Sequence, residues 1–331
     1  MRLIKISDYD QLTMQLAKPI YDGKGRVLLA AGNTIHPKYL TKLKELGIRY
    51  LIVEDQASTG ITLEEMLEMP TWMGAIQVLQ DTYETILKKQ QFPLIHVQKV
   101  VGQLLYEVKR RRAILLIPTT SLAEEMRPYG HAINVTLLAL QIGKYLKYTD
   151  LQLRDLALGC MLHDIGKVKD PSEFGHPTAG FEILRHIREL SLLSAHVAFQ
   201  HHETLDGKGF PRELKGDSIL EFAQICGVAN FYENHISKNN LPPHEVMEIL
   251  MTMYGTKYLE HVVEALIKGI PGYPPGTMIR IQDNQEAIVI RIDDHMQRPV
   301  VRLLDTGQVL SLSSHPTVMI TGIVESEEYQ E

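Results

Sequence analysis

Five histidines and one aspartate stand where their side chains could converge on a cation: His131, His163, Asp164, His176, His201 and His202. His163-Asp164 follows the apolar stretch LALGCML and precedes Gly166 and Lys167. Successive helical residues point about 100° apart, so at a helix end both side chains can enter one cavity. An imidazole nitrogen beside a carboxylate oxygen suits Zn, Fe, Mn or Ni. A carboxylate can also bridge two cations, one through each oxygen. Lys167 lies one turn further on and could neutralise a phosphate oxygen. His201-His202 closes the apolar stretch SAHVAFQ, and Glu203 through Pro211 follow as E-T-L-D-G-K-G-F-P, a composition that forces a tight loop directly after the ligands. His131 follows RPYG and His176-Pro177 precedes AGFEIL, both read as helix starts. Taken singly, each of these is as well explained as an ordinary helix end or a satisfied core histidine. His36, His96, His235, His244, His261, His295 and His315 have no helpful neighbours and keep that plain reading.

The elements that must bring these residues together are helical. Residues 121–270 contain HAINVTLLALQIGKYL, LQLRDLALGCMLHDIG, AGFEILRHIREL, LLSAHVAFQHHE, ILEFAQICGVANFYEN and YLEHVVEALIKG, each too apolar on one face to stand alone. A bundle results, and facing helices are where bundle metal sites are built. Residues 61–120 carry helical periodicity in LEEMLEM, WMGAIQVLQDTYETILKK and HVQKVVGQLLYEVKRRRAILLI and read as a helical connector packed on the main domain. The basic run Lys109–Arg112 in it reads as a solvated helix face. Residues 1–60 read as a small α+β domain with a regulatory or packing role. An Asp-Gly-Lys-Gly turn there joins two apolar segments, a short helix ends at Gly47, and IRYLIVE follows as a strand. After Pro271, Pro274 and Pro275, residues 271–331 change to short β-branched runs, a small β-rich unit whose tail ESEEYQE reads as frayed. The fold class is therefore mainly α, with small units at both ends.

Composition narrows the partners. Of 331 residues, 44% are hydrophobic and 22% charged, which is ordinary for a globular chain. The net charge of −6, from 34 basic and 40 acidic residues, argues against a nucleic-acid polymer as the main partner. A small anionic ligand held by metal and lysine remains compatible with it. Cys160 and Cys226 both lie in apolar helical stretches and read as buried free thiols, which fits a reducing, cytoplasmic setting. No window approaches the ~18 apolar residues of a membrane span, and the N-terminus lacks the apolar run of a signal peptide.

The spaced blocks H(131), HDIGK(163–167), HP-x-x-G(176–180) and HHE-x-x-DG-x-G-F-P(201–211) resemble the HD-GYP subgroup of the HD metal-dependent phosphohydrolases. Several blocks in the right order make this far more specific than any single His-Asp pair, and the likeness covers about residues 121–240. The resemblance implies an HD-type helical bundle with a centre of two divalent ions, iron or manganese first, zinc or nickel as alternatives. It implies hydrolysis of cyclic di-GMP to linear pGpG or GMP by a metal-bridged hydroxide. By the same resemblance, His131, His163 and Asp164 hold one ion. Asp164 bridges to a second held by His176, His201 and His202. Asp164 and Lys167 are catalytic, with Lys167 on the scissile phosphate. Asp206, Gly207, Gly209 and Pro211 shape the substrate rim and meet partner proteins, a diguanylate cyclase or a second copy of the chain among them.

The chain also departs from that pattern. Phe210 replaces the family's tyrosine. Asn230 stands where the family has a ligating aspartate, leaving a weak neutral ligand for the first ion. Arg127 replaces the glutamate associated with a third ion. The stretch between His163 and His176 is short, so a covering segment is trimmed. Lys238 is the nearest substitute for the usual arginine phosphate contacts. Two further readings follow: a degenerate module that binds nucleotide or protein partners with little hydrolysis, and an HD hydrolase of another nucleotide.

Overall fold

A computed structural model describes residues 1–88, 92 and 94–324. The tail ESEEYQE lies outside the described residues. The chain divides into two compact units. One comprises Met1–Met66, Ile117–Glu125 and the segment from Pro271 on; the other comprises Leu67–Leu116 and Met126–Ile270.

In the first unit, β1 (Arg2–Lys5), β2 (Gln15–Leu16), a hairpin of β3 (Ile20–Tyr21) and β4 (Val27–Leu29), α1 (Pro37–Glu45) and β5 (Tyr50–Glu54) follow in order. β5 lies between β1 and β2, antiparallel to both. Its buried face joins Leu16, Ile35, Leu43, Leu51 and Val53 in one core. α1 ends at Gly47, whose φ of 84° is the left-handed conformation that closes a helix. The later part of this unit is an antiparallel sheet of β6 (Met278–Ile281), β7 (Gln285–Arg291), β8 (Val300–Leu303), β9 (Val309–Ser311) and β10 (Ile320–Ile323), in the order β10-β6-β7-β8-β9. Alternation in β6 sends Ile279 and Ile281 inward against Val289 and Val301. The Arg302 guanidinium, on β8, donates to the carbonyls of Ala57 at 2.6 Å and Thr59 at 3.1 Å.

The second unit is the helical bundle: α2 (Met69–Leu87), α3 (Leu94–Arg110), α4 (Arg127–Tyr145), α5 (Asp150–Met161), α6 (His176–Leu184), α7 (Leu192–Gln200), α8 (Glu221–Ser237), α9 (Pro243–Thr252) and α10 (Glu260–Gly269). α4 is buried all round from Gly130 to Gly143, as a helix without a polar face must be. It packs against α2, α3, α5, α8 and α10. The expected mainly α class with an HD-type bundle and small sheet regions is what the chain adopts. Among the described residues no helix is long and apolar enough to cross a membrane.

Three local readings are corrected. LEEMLEM is not a helix; Glu68 is extended and α2 starts at Met69, because Pro70 suits only a first helical turn and disfavours helix before it. His131 lies in the second turn of α4, not at its start, since Arg127 and Pro128 already open the helix. Arg111 is not solvated; it is buried and ion-paired with Glu107. α9, which opens with Pro243 in its first turn, and the short β9 join the elements read from periodicity.

Candidate metal centre

Helix ends deliver five of the six predicted ligands, and the second turn of α4 delivers His131. α5 opens with a Thr149–Gln152 capping box and ends at Met161, so His163 and Asp164 occupy the turn that follows. That turn continues as a 3-10 segment, Ile165–Val168, carrying Lys167. α6 crosses directly over it and begins at His176. A side chain at Gly166 would drive into the His176 carbonyl and the Gly180 amide, so glycine permits this approach. α7 is capped by Ser191 and tied to α5 by the Ser194 hydroxyl, which donates to the Asp155 carbonyl at 2.7 Å. It ends at Gln200 with His201 as its C-cap, which puts His201 and His202 beside the other predicted ligands.

The loop after them is clamped from below. The buried Glu203 carboxylate accepts the amides of Arg212 at 2.8 Å and Leu214 at 2.9 Å. Gly209 lies against the His202–Glu203 backbone, where a side chain would collide. Gly207 takes a φ of 74°. Asp206 closes its own turn, accepting from the Thr204 hydroxyl at 2.6 Å and the Lys208 amide at 3.2 Å. Phe210, joined to Pro211 by a cis peptide, stacks on His202 with centroids 4.4 Å apart and touches the exposed Phe174 ring at 4.9 Å.

The ligand atoms fall into two groups, His131–His163–Asp164 and His176–His201–His202, and within each group they lie within 4.8 Å of one another. Asp164 faces both. Its Oδ2 is 3.5 Å from His163 Nε2 and 4.0 Å from His131 Nε2. Its Oδ1 is 3.3 Å from His176 Nε2 and 3.8 Å from His201 Nε2. Lys167 donates to Oδ2 at 2.5 Å.

Four of the rings are oriented from behind. The Nδ1 atoms of His163, His176 and His201 meet the carbonyls of Cys160 (2.7 Å), Ser172 (3.0 Å) and Ala198 (3.0 Å), and His131 Nδ1 meets Glu233 Oε2. An oxygen that can only accept requires a proton on each Nδ1, which leaves Nε2 as a bare lone pair. Those lone pairs point at one another: His176 Nε2 and His201 Nε2 are 3.3 Å apart. His163 Nε2 is buried with no hydrogen-bond partner among the described residues. Converging, desolvated lone pairs around a shared carboxylate repel unless a cation lies between them, so the donor set fits divalent metal ions.

Burial pushes the His163 imidazole down to about 4 and His202 to about 3, and holds His201 well below its usual range. Burial alone would raise Asp164; the His163, His176 and His131 rings and the Lys167 ammonium outweigh it and hold the carboxyl well below the carboxylate range. Neutral imidazoles beside an ionised carboxylate are the protonation states that bind cations.

Other predicted residues lie elsewhere in the bundle. Asn230 is buried on α8, its Oδ1 accepting from Asn234 Nδ2 at 2.8 Å. Lys238 is an exposed C-cap residue of α8, and among the described residues no hydrogen bond or ion pair joins it to the histidines.

Sequence reading missed two neighbours. Glu233 backs His131; burial would raise its carboxyl, and His131, Ser237 and Asn134 more than offset that. Tyr83 of α2 packs edge-on against Tyr129 at 5.3 Å; burial, then the Asp164 charge, raises its phenol well above the usual value. It lies on α2, which packs on the turn bearing Lys167, a contact that no local sequence pattern announces.

Residues 129–234, which hold all six predicted ligands, match the HD domain family model. The HD-type resemblance read from the sequence agrees with this match. The chain is 26% identical over 221 residues to a cyclic di-GMP phosphodiesterase of Pseudomonas aeruginosa, covering 61% of this chain and 53% of that protein. It is 28% identical over 212 residues to a cyclic di-GMP phosphodiesterase of Thermotoga maritima, 57% of each. A 3'3'-cGAMP-specific phosphodiesterase of Vibrio cholerae is 29% identical over 128 residues, 32% of this chain and 24% of that one. The chain spans about half the length of the first two curated relatives. Among solved structures, an HDG"Y"P protein from Bdellovibrio bacteriovorus shares the fold at a TM-score of 0.51 and 17% identity, over 80% of this chain and 97% of that one.

Proposed function

We propose that this chain is a metal-dependent phosphodiesterase that opens cyclic di-GMP to linear pGpG, GMP or both. The observation that carries the reading is Asp164, whose two oxygens each face one group of histidines. His131, His163 and Asp164 would hold one divalent ion, and Asp164, His176, His201 and His202 the other. When bound, two such ions would supply a nucleophilic water near neutral pH and would offset charge on the phosphoryl oxygens. The protein does the rest. Asp164 fixes the spacing of the two groups. Lys167, on the Asp164 Oδ2 side and partly exposed, is placed to turn its ammonium to the phosphate as charge develops. Phe210 and the exposed Phe174 give a base an aromatic surface beside His202. Relatives named for cyclic di-GMP support that substrate over cGAMP, whose named relative matches a shorter stretch.

The test is turnover of cyclic di-GMP by protein loaded with Mn²⁺ or Fe²⁺, read as linear product, beside His202→Ala. Product from the wild type and a loss of ~10²-fold or more in the variant is the expected result. Intact substrate in both would overturn it. Asn230 favours a second reading, a nucleotide-binding module with little hydrolysis, because its neutral amide is bonded to Asn234. One tightly held ion or none per chain, with nucleotide bound and uncut, would select that reading.

A further inference from the structure

His163, His176 and His201 are each held from behind by a backbone carbonyl, whereas His131 is held by a carboxylate. Among the described residues, Glu233 is the one carboxylate besides Asp164 that is hydrogen-bonded to a histidine of either group. It lies on α8 at 1% exposure. A carboxylate buried so deeply is costly unless its lone pairs are used. Here they are: Oε2 meets His131 Nδ1, while Oε1 accepts from Ser237 Oγ at 2.6 Å and Asn134 Nδ2 at 3.3 Å. Asn134 in turn accepts the Trp72 indole N–H at 3.3 Å through Oδ1. The indole nitrogen can only donate, so it fixes which end of the Asn134 amide faces Glu233. Trp72, Asn134 and Ser237 are each at 1% exposure, so solvent does not compete. The chain of bonds thus runs from α2 through α4 and α8 back to one ligand of the first group.

We propose that Glu233 is a positioning residue for the first ion, acting through His131, and that α2 holds it in place through Trp72 and Asn134. A carbonyl would fix the tautomer of His131 equally well. A full negative charge does more: it makes Nε2 a stronger donor to a cation. The first group needs that, because its one carboxylate, Asp164, is shared with the second. The inference rests on the two-ion reading.

The test reads metal, not turnover. Wild type, Glu233→Gln and Trp72→Phe are titrated with Mn²⁺, and ions bound per chain are counted after equilibrium dialysis. Glu233→Gln keeps the shape and removes the charge. It should weaken one class of site by ~10–100-fold and leave the other at its wild-type affinity. Trp72→Phe keeps an aromatic ring and loses the donor; it should weaken the same class by a few-fold. Trp72 is the chain's single tryptophan, so its fluorescence should change as that class fills in the wild type. That change should move to higher Mn²⁺ in Glu233→Gln. Two classes unchanged in Glu233→Gln, or both weakened equally, would overturn the inference. If Glu233→Gln does not fold, Trp72→Phe decides alone: an unchanged pair of affinities overturns the proposal. A wild type that binds no ion would overturn the metal centre as well. Selective weakening without any turnover would leave this inference standing while the phosphodiesterase reading failed.

Discussion

His131 and His176 both turn Nε2 toward Asp164, yet what stands behind them differs. A buried carboxylate on a distant helix backs His131, and the carbonyl of Ser172, four residues earlier, backs His176. The contrast extends to the neighbours. The first group is wholly buried, while His202 in the second is half-buried and leans on Phe210. The first group therefore depends, through His131, on a long-range side-chain bond between helices, although His163 beside it is backed by the local Cys160 carbonyl. The second group is set by local backbone at the starts and ends of short helices. The first should respond to charge changes far away in sequence, and the second to anything that shifts a turn.

Asp164 joins the halves, so its neutralisation should give the largest effect. Asp164→Asn keeps the shape, removes the shared charge and offers one amide oxygen where two carboxylate oxygens stood. Both ions should be lost at micromolar metal, with turnover falling by at least ~10³-fold. Metal analysis and linear-product assays check this. Retention of one tight ion would show that the halves are independent, and would break the comparison at its joint.

Acid should come next. Folded His163 titrates near 4 and His202 near 3, and His201 is also depressed, against about 6.5 for each in the unfolded chain. The unfolded state therefore binds more protons below pH ~6.5, so stability is full above that pH and is lost as pH falls toward 4. His163 alone accounts for on the order of 3 kcal/mol at the bottom of that window. Chelator-treated protein should show a urea midpoint that drops steeply between pH 6.5 and 4. His163→Gln and His202→Gln should each flatten the drop by about one proton. Flattening by only one of them would place the buried cost in a single half.

Legibility in the sequence follows whether a residue's partners are local or distant, not which group it belongs to. The pairs His163-Asp164 and His201-His202 are adjacent residues, so their convergence needs only the helix end that the apolar stretches LALGCML and SAHVAFQ announce. Glu233 was not legible. It is 102 residues from His131, and on α8 it is flanked by Tyr232 and Asn234, an unremarkable helical neighbourhood. Only the packing of α8 on α4 makes it a partner. Tyr83 and Trp72 were hidden for a similar reason: α2 reads as a connector because nothing in its periodicity says what its buried face touches. The loop glycines were legible as a turn. That Gly209 is needed for close approach to the His202–Glu203 backbone depends on tertiary geometry that no local rule supplies.

Gly166 gives the smallest and most selective test of the divide. It has no side chain to place between the turn bearing Asp164 and the start of α6, and a methyl there meets backbone atoms of His176 and Gly180 that cannot rotate away. Gly166→Ala must therefore lift the first turn of α6, with an overpacking cost of ~1–3 kcal/mol. His163 and Asp164 lie before the collision and His131 is on α4, so the first group should keep its ion. His176 should retreat, and the second group should lose affinity. The measurement is ions bound per chain together with the thermal midpoint: a few degrees lost, and one ion rather than two at a fixed Mn²⁺ concentration. If both ions weaken together, the local half is not separable from the long-range half, and Asp164 must move with α6.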